Sequence, residues 1–163
     1  MCKKFLCLLL ALITVSAFLL PALAAVEEEH DPYPDPIPAY DEADAVLLAR
    51  LITAEAANQP FEGQVAVGNV VLNRLASGYW GDTVKRVVSV EFAKPKKNYT
   101  ESCYRAAVAA LTGTSVVPYY VTSFQRGRTK YHGGPWVVKI GAHNFYGSPE
   151  KFAWLQRHGK NKR

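Results

Sequence analysis

The segment from Val65 to Leu75 constrains the fold most, because a helix made from it has almost no polar face. A helix that is apolar all round is stable only when other elements cover it on every side. Gly78 follows the segment, and glycine is typical of a helix C-terminus. We therefore predict a central helix from about Glu62 or Gly63 to Ala76. Its polar exceptions are Gln64, Asn69 and Asn73.

The stretch from Asp44 to Ala57 is predicted to form a helix in front of this central one. Asp41 is a suitable N-cap, with Asp44 as the acid three positions later. Pro60 cannot continue the helix, so it should end near Asn58. One face carries four residues at helical spacing, namely Leu48, Leu51, Ile52 and Glu55.

A third helix is predicted from the N-cap Thr100 through Leu111, where Gly113 stops it. Between the second and third helices, Thr83 to Val90 is apolar but too short to decide between strand and helix.

The apolar period changes to two in the second half of the chain, which predicts strands. We expect strands at Val116–Phe124 and Trp136–Ile140, with a glycine-rich basic loop over Arg126–Gly134 between them. His143–Tyr146 is short and aromatic, and residues 152–155 should pack back on the domain. Helices followed by strands predict a single α+β domain with a small antiparallel sheet, and 163 residues suffice for one domain.

The N-terminus has the layout of a secretory signal peptide. Lys3 and Lys4 precede an apolar run from Phe5 to Leu20, and Ala22-Leu23-Ala24 supplies a small-x-small cleavage pattern. We expect residues 1–24 to be removed on export, leaving no stable membrane span. The alternative is an uncleaved anchor, because the run is nearly long enough to cross a bilayer. Either way the protein is expected outside the cytoplasm, secreted or in the cell envelope.

Charge divides the rest of the chain into unequal parts. Residues 25–40 form an acidic, proline-rich linker, 41–157 the domain, and 158–163 a basic tail. From Ala45 to Arg163 the net charge is +11, with 17 Lys or Arg against six acids. A domain this basic attracts polyanions. An exported protein meets anionic envelope polymers first, so we expect no nucleic-acid partner. The acidic linker could also fold back and screen the domain.

Glu55 is the strongest candidate for chemistry. It lies on an apolar stripe and in the last helical turn, and both places disfavour a charged carboxylate. The protonated form is the one that a general acid needs. The alternative is a Glu paired with a buried basic or amide group, such as Asn69 or Asn73. Glycoside cleavage often uses a second carboxylate, but Glu62 lies beyond Pro60, in the first turn of the next helix. A single buried Glu would fit attack by a hydroxyl of the substrate itself.

Aromatic side chains in the strand-rich half could stack on sugar rings, although core packing explains each of them equally well. We expect substrate contacts from Tyr120, Trp136, His143, Tyr146, Gln64 and Asn73. Cys103 with His143 could instead form a thiol-protease pair, but a small core residue is the better interpretation of Cys103. The histidines lack ligand-like spacing, so we expect no metal and no cofactor. The protein is expected to be a monomer.

Two blocks of the sequence resemble the SleB-type cell wall hydrolases, which include the spore cortex-lytic enzymes of endospore formers. The first is LARLITAEA at Leu48–Ala56, followed by FEGQVAVGNVVLNR at Phe61–Arg74. The second is IGAHNFY at Ile140–Tyr146. The resemblance covers about Ala45 to Tyr146.

This resemblance implies a lysozyme-related fold that cuts peptidoglycan glycan strands after N-acetylmuramic acid, as a lytic transglycosylase or muramidase. It also implies that Glu55, in the AEA segment, is the catalytic acid/base. Tyr120 falls where the family tends to have an aromatic residue after its third helix.

Two departures from the family leave the biological substrate open. Val90–Pro95 stands where the family usually has a GQF element, and the acidic linker stands where cortex enzymes often carry a peptidoglycan-binding repeat. General envelope remodelling therefore fits as well as cortex lysis during germination. The rival interpretation is a non-catalytic wall-binding or spore-coat protein that retains the fold.

Overall fold

Five helices and a three-stranded sheet make up the computed structural model over the residues that it describes, 40–127 and 133–159. The helices are α1 (Glu42–Ala56), α2 (Phe61–Ser77), α3 (Val84–Glu91), α4 (Glu101–Leu111) and α5 (Pro149–Gly159). The strands are β1 (Val121–Arg126), β2 (Trp136–Ile140) and β3 (His143–Gly147), all antiparallel in the order β1-β3-β2. The predicted α+β class, with helices before a small sheet, is confirmed.

Several sequence predictions fall on residues outside this description. They are the signal peptide at 1–24, the linker at 25–39, part of the basic loop at 128–132 and the end of the tail at 160–163. Over 40–127 and 133–159, none of the helices combines the length and the apolar character needed to cross a bilayer.

Helix α2 is the central element, as its apolar sequence predicts. Val67 and Val71 pack into a core shared with α1, α3 and α4. Ala66 and Val70 belong to a second core that α2 forms with the sheet. At Gly68 a Cβ atom would lie only 2.9 Å from the Cβ of Ala110, so the absence of a side chain there lets α2 and α4 approach closely.

The predicted helix ends are confirmed where capping groups define them. Asp41 Oδ1 accepts from the Asp44 N–H at 2.8 Å, and the Thr100 hydroxyl accepts from the Cys103 N–H at 3.2 Å. Gly78 ends α2 with a positive φ of 65°, the left-handed conformation that glycine adopts without strain.

The undecided stretch after Gly78 is helical. The Thr83 hydroxyl caps α3 by accepting from the Arg86 N–H at 3.2 Å. Val84, Val87 and Val88 are buried at positions i, i+3 and i+4, so the stretch follows the helical period rather than a period of two.

The predicted strand Val116–Phe124 is wrong in its first half, because β1 begins only at Val121. Residues 116–120 form turns whose backbone is bonded by side chains of α2. Asn69 Oδ1 accepts from the Val116 N–H at 2.9 Å, and Asn73 Nδ2 donates to the Pro118 carbonyl at 3.0 Å. Pro118 also lacks the N–H that a strand ladder needs.

The C-terminal segment packs back as predicted, with Phe152 and Leu155 buried on α5. The helix continues through His158 and Gly159, the first residue of the predicted basic tail and the one after it.

Replacing Gly68 by Val should reduce the free energy of unfolding by about 1–3 kcal/mol, because the new methyl groups overlap Ala110. The free energy is measured by urea unfolding. Combining the change with Ala110→Gly, the matched partner on α4, should recover part of the loss beyond simple additivity. Strictly additive effects would show that the two helices do not meet at this pair.

Candidate active site

Glu55 lies in the last turn of α1 with its side chain half-buried. Its Oε1 accepts a hydrogen bond from the Ala93 backbone N–H at 3.0 Å. The expectation of a carboxylate within the apolar stripe is therefore only partly right. Leu48 and Leu51 earlier on that stripe are fully buried, whereas Glu55 is covered by a loop because the helix ends one residue later.

The buried amides proposed as alternative partners of Glu55 are engaged elsewhere. Asn69 bonds to the Thr114 carbonyl at 2.8 Å as well as to Val116, and Asn73 bonds to Pro118 and Val121. The structure therefore does not support a purely structural Glu–Asn pair at Glu55.

The segment that covers Glu55 runs alongside α1 and is fastened to it at further points. The Lys96 N–H donates to the Arg50 carbonyl at 3.2 Å, and the Thr100 N–H donates to the Thr53 hydroxyl at 3.4 Å. Together with the Ala93–Glu55 bond, these contacts fix the segment along the last two turns of the helix.

The turn between β2 and β3 is docked against the loop that follows α1. The Ala142 N–H donates to Gln59 Oε1 at 2.8 Å. Gly141 has φ of +58°, and a Cβ there would lie 2.5 Å from Gln59 Oε1 and 2.9 Å from Pro60 Cδ. Glycine is needed here because it adopts a positive φ without strain and has no Cβ to collide with Gln59 and Pro60. The resulting close approach brings the first residue of β3 towards the end of α1.

His143 is that first residue, and it shares a site with Glu55. Its side chain is only 3% exposed and packs edge-on against Phe124, with ring centroids 5.2 Å apart. Burial, the largest influence, lowers the pKa of His143; the nearby Glu55 carboxylate raises it, and Arg126 lowers it. Arg126 lies opposite His143 in the β1–β3 register. The Nδ1 atom of His143 has no hydrogen-bond partner among the described residues.

Arg74 connects the covering segment to the sheet. Its guanidinium lies between the rings of Trp80 and Phe92, at 4.7 and 4.4 Å from their centroids. Its Nε donates to the Thr122 carbonyl at 2.7 Å, and Nη1 lies 3.5 Å from Glu91 Oε2. Phe92 precedes the residue that holds Glu55, so Arg74 helps to fix that backbone.

Phe92 also reaches the sheet directly. It stacks on Phe124 with ring centroids 6.2 Å apart and planes 29° apart. A chain of contacts therefore closes around the site, from Glu55 to Ala93 and Phe92, then to Phe124 and His143.

Two of the residues predicted to touch substrate have structural partners. Gln64 is 3% exposed, donates to the Gln59 carbonyl at 3.1 Å and accepts from the Ser102 hydroxyl at 2.7 Å. Asn73 is also buried and donates to the carbonyls of Pro118 and Val121. These positions give both amides a role in joining elements, and their contact with substrate stays a prediction.

Trp136 and Tyr146 are separated from Glu55 by the sheet. They face each other in the β2–β3 register, and Tyr146 lies three residues after His143 on β3. Because side chains alternate along a strand, the pair projects from the face opposite His143. Trp136 is 61% exposed and its indole N–H donates to Asn144 Oδ1 at 3.2 Å.

Tyr120 lies in the turn before β1, half-buried. Its ring meets Tyr119 edge-on at 5.3 Å, and Tyr119 in turn meets Phe152 of α5 at 5.2 Å. The structure thus places Tyr120 in an aromatic cluster between the sheet and α5.

Other candidate groups have different surroundings from Glu55. Glu62 is exposed in the first turn of α2, as expected, and Glu91 pairs with Arg74. Cys103 is fully buried, which confirms it as a core residue and gives its thiol no access to a peptide. The described residues contain no group of three or more His, Cys, Asp or Glu suited to a metal ion.

Sequence reasoning missed four contributors to the site, namely Gln59, Arg74, Phe92 and Ala93. A signal existed for Arg74, since a charged residue inside an otherwise apolar helix needs a buried partner. No signal marked Ala93, because it acts through its backbone N–H. Chemically, the site offers one partly exposed carboxyl, fixed through one oxygen, beside an imidazole. Such a carboxyl can donate and recover a proton.

Arg74→Met should lower the free energy of unfolding by about 1.5–3 kcal/mol, because the buried Thr122 carbonyl loses a charged donor. Urea unfolding provides the measurement. Glu91→Gln is the control, and it should cost under about 1 kcal/mol because that side chain is 54% exposed. Equal losses in the two variants would contradict the role assigned to the Thr122 bond.

The stability of the protein should fall as the pH drops below about 6.5, in part through His143. The folded-state pKa of His143 lies below its ordinary value of 6.5, so the unfolded chain binds more protons between the two values. Urea unfolding from pH 7.5 to 5 should show a shallower loss for His143→Gln than for the wild type. His158→Gln, a change at an exposed histidine, serves as the control; an unchanged slope in His143→Gln would refute the prediction.

Comparison with known proteins identifies relatives of this chain. The sequence model of the cell wall hydrolase family matches residues 58–146, more than half of the 163 residues. The spore cortex-lytic enzyme of Halalkalibacterium halodurans is 31% identical over 116 residues, covering 65% of this chain and 35% of that protein. That of Oceanobacillus iheyensis is 47% identical over 49 residues, covering 30% of this chain and 18% of that protein. The chain thus spans little more than a third of these relatives at most.

Solved structures of catalytic domains match over almost their whole length. The catalytic domain of the Bacillus cereus SleB protein has a TM-score of 0.61 and 26% identity, covering 69% of this chain and 97% of that one. The catalytic domain of the germination-specific lytic transglycosylase SleB from Bacillus anthracis has a TM-score of 0.60 and 25% identity, covering 69% and 98%. The chain belongs to the cell wall hydrolase family and has the lysozyme-like fold of the SleB catalytic domains.

Proposed function

We propose that the protein is an exported enzyme that cuts the glycan strands of peptidoglycan after N-acetylmuramic acid, with Glu55 as its acid/base. The observation that carries the proposal is the placement of Glu55. One of its oxygens is held by the Ala93 N–H, and the half-buried carboxyl is near enough to His143 to raise the pKa of that imidazole. Membership of the cell wall hydrolase family supports peptidoglycan as the substrate.

The proposed reaction is that of a lytic transglycosylase. Protonated Glu55 gives its proton to the glycosidic oxygen, and the bond from that oxygen to C1 of the muramic acid breaks. The 6-hydroxyl of the same sugar then bonds to C1 while its proton passes to the Glu55 carboxylate. The products are a free 4-hydroxyl and a 1,6-anhydro end, and the enzyme returns to its starting form without consuming water.

This route needs only one carboxyl group, which agrees with the surroundings of Glu55. Glu62 and Glu91, the acids nearest to the site along the chain, are respectively exposed on α2 and paired with Arg74. The Ala93 N–H fixes Oε1, so Oε2 is the oxygen that carries the proton in the proposed reaction.

The proposed location and substrate follow from the sequence and from the relatives together. The signal-like N-terminus supports export, and a net charge of +11 over residues 45–163 supports attraction to an anionic wall polymer. The relatives are named spore cortex-lytic enzymes, which favours cortex peptidoglycan as the substrate during germination. A monomer is sufficient for this chemistry, because all the groups used lie in one chain.

Glu55→Gln should reduce the release of soluble muropeptides from purified peptidoglycan by at least about a hundredfold, because the amide cannot donate the acid proton. Mass spectrometry identifies the products, and those of the wild type should be one water lighter than hydrolysis products. Glu62→Gln is the matched control and should retain most of the activity.

Other results would change the proposal in distinct ways. Hydrated products that Glu55→Gln fails to make would keep Glu55 but replace the transglycosylase by a muramidase. Equal activity of wild type and Glu55→Gln would refute the assignment of Glu55. Binding of sacculi without any cleavage by the wild type would favour the wall-binding alternative.

A further inference from the structure

A groove in the described part of the structure lies away from Glu55. It has a volume of about 1140 Å³ and runs between the end of α2, helix α3 and helix α5. Residues of all three segments line it, among them Tyr79, Trp80, Arg86, Gln156 and Arg157. We call it the α2–α5 groove.

Aromatic rings form one side of the α2–α5 groove and are held in fixed orientations. Tyr79 meets Trp80 edge-on at 5.1 Å and lies 5.8 Å from Trp154 of α5. Trp154 stacks on His158 at 4.1 Å, and His158 Nδ1 lies 2.7 Å from the Trp154 carbonyl oxygen. Trp154 does not itself line the groove, but it is 45% exposed and lies beside Tyr79, which does, so a large ring faces solvent next to the groove.

Polar and charged groups complete the lining. Arg86 and Arg157 are exposed cations, and Gln156 offers an amide. Asp82 and Glu91 supply carboxylates as acceptors. Flat aromatic rings bordered by amides, carboxylates and guanidinium groups suit a sugar, which presents C–H faces to rings and hydroxyls to polar groups. The cations also suit the carboxylates of the stem peptides that a peptidoglycan strand carries.

The groove is linked to the Glu55 site through α3. Val90 and Glu91 line the groove at the end of this helix, and Ala93, two residues further, donates to Glu55. Helix α3 has eight residues, so the lining extends about 12 Å from the active-site end. A strand bound at Glu55 and a strand segment in the groove can therefore belong to the same polymer.

We propose that the α2–α5 groove binds a glycan strand of peptidoglycan outside the cleavage site, with the exposed ring of Trp154, next to Tyr79 of the groove, as a stacking platform for the same strand. This inference rests on the proposed function, since it takes the same polymer as substrate. The groove retains the enzyme on the insoluble wall, while Glu55 performs the cleavage.

The test measures sedimentation of the purified protein with insoluble sacculi in a Glu55→Gln background, which separates binding from cleavage. Adding Trp154→Ala should weaken the apparent affinity about five- to tenfold, as loss of a central interface aromatic does. Trp154→Phe keeps a ring and should restore most of the binding. Tyr99→Ala is the matched control, because Tyr99 is also a stacked ring, 40% exposed, packed against Tyr104 rather than at the groove.

Two further arms define what is bound. Sacculi freed of stem peptides by an amidase should retain the difference between Trp154→Ala and its parent; loss of all binding would assign the groove to the peptides and overturn the glycan assignment. Arg86→Glu combined with Arg157→Glu should weaken binding to intact sacculi more than binding to the stripped strands.

The failure of this inference is distinguishable from that of the proposed function. Equal sedimentation of Trp154→Ala and its parent, with unchanged urea unfolding, would overturn the groove proposal. The release of muropeptides by the wild type and its loss in Glu55→Gln would still stand in that case. A parent that does not sediment at all would also overturn the groove proposal.

Discussion

The buried helix α2 organises the domain through the few polar side chains that it carries. Asn69, Asn73 and Arg74 bond to backbone groups of residues 114, 116, 118, 121 and 122. The bonds to Val121 and Thr122 are buried, where a carbonyl left without a partner costs about 1–3 kcal/mol. The bonds therefore set the path of the chain into β1, and β1 sets the position of the sheet. Every contact between the sheet and Glu55 depends on that path.

The proposed active site lies where the helical packing gives way to loops. Along α1, the apolar stripe is fully buried up to Ile52, whereas Glu55 is covered by the segment that contains Ala93. This arrangement leaves the Glu55 carboxyl half-buried, with Oε1 held by the Ala93 N–H. The contact to Glu55 comes from a backbone N–H, which any residue except proline supplies. The segment Val90–Pro95 lacks the GQF element of the family, but this difference does not prevent the hydrogen bond from the Ala93 N–H to Glu55.

Sequence predictions succeeded where they depend on interactions between residues close in the chain, and failed where they depend on residues far apart in the chain. Asp41, Thr100 and Gly78 were predictable as helix ends, because a cap bonds to residues within the same turn. The start of β1 was not, because Asn69 and Asn73 act on residues about 45 positions away. The period of two also could not show that Trp136 lies on the same sheet face as Tyr146, opposite His143. That depends on the register with β3.

The sequence by itself determined the helices α1, α2 and α4, the centrality of α2 and the α+β class, and it marked Glu55 as a candidate for chemistry. These follow from local periodicity, capping and the cost of placing charge on an apolar stripe. The tertiary structure alone decided which groups surround Glu55, because Ala93, Phe92, Phe124 and His143 come from three separate segments. It also decided that Gln64 and Asn73 bond to backbone carbonyls of neighbouring segments. The physical reason is that burial and hydrogen-bond partners are properties of the packed chain. The sequence shows only which groups will need a partner when they are buried.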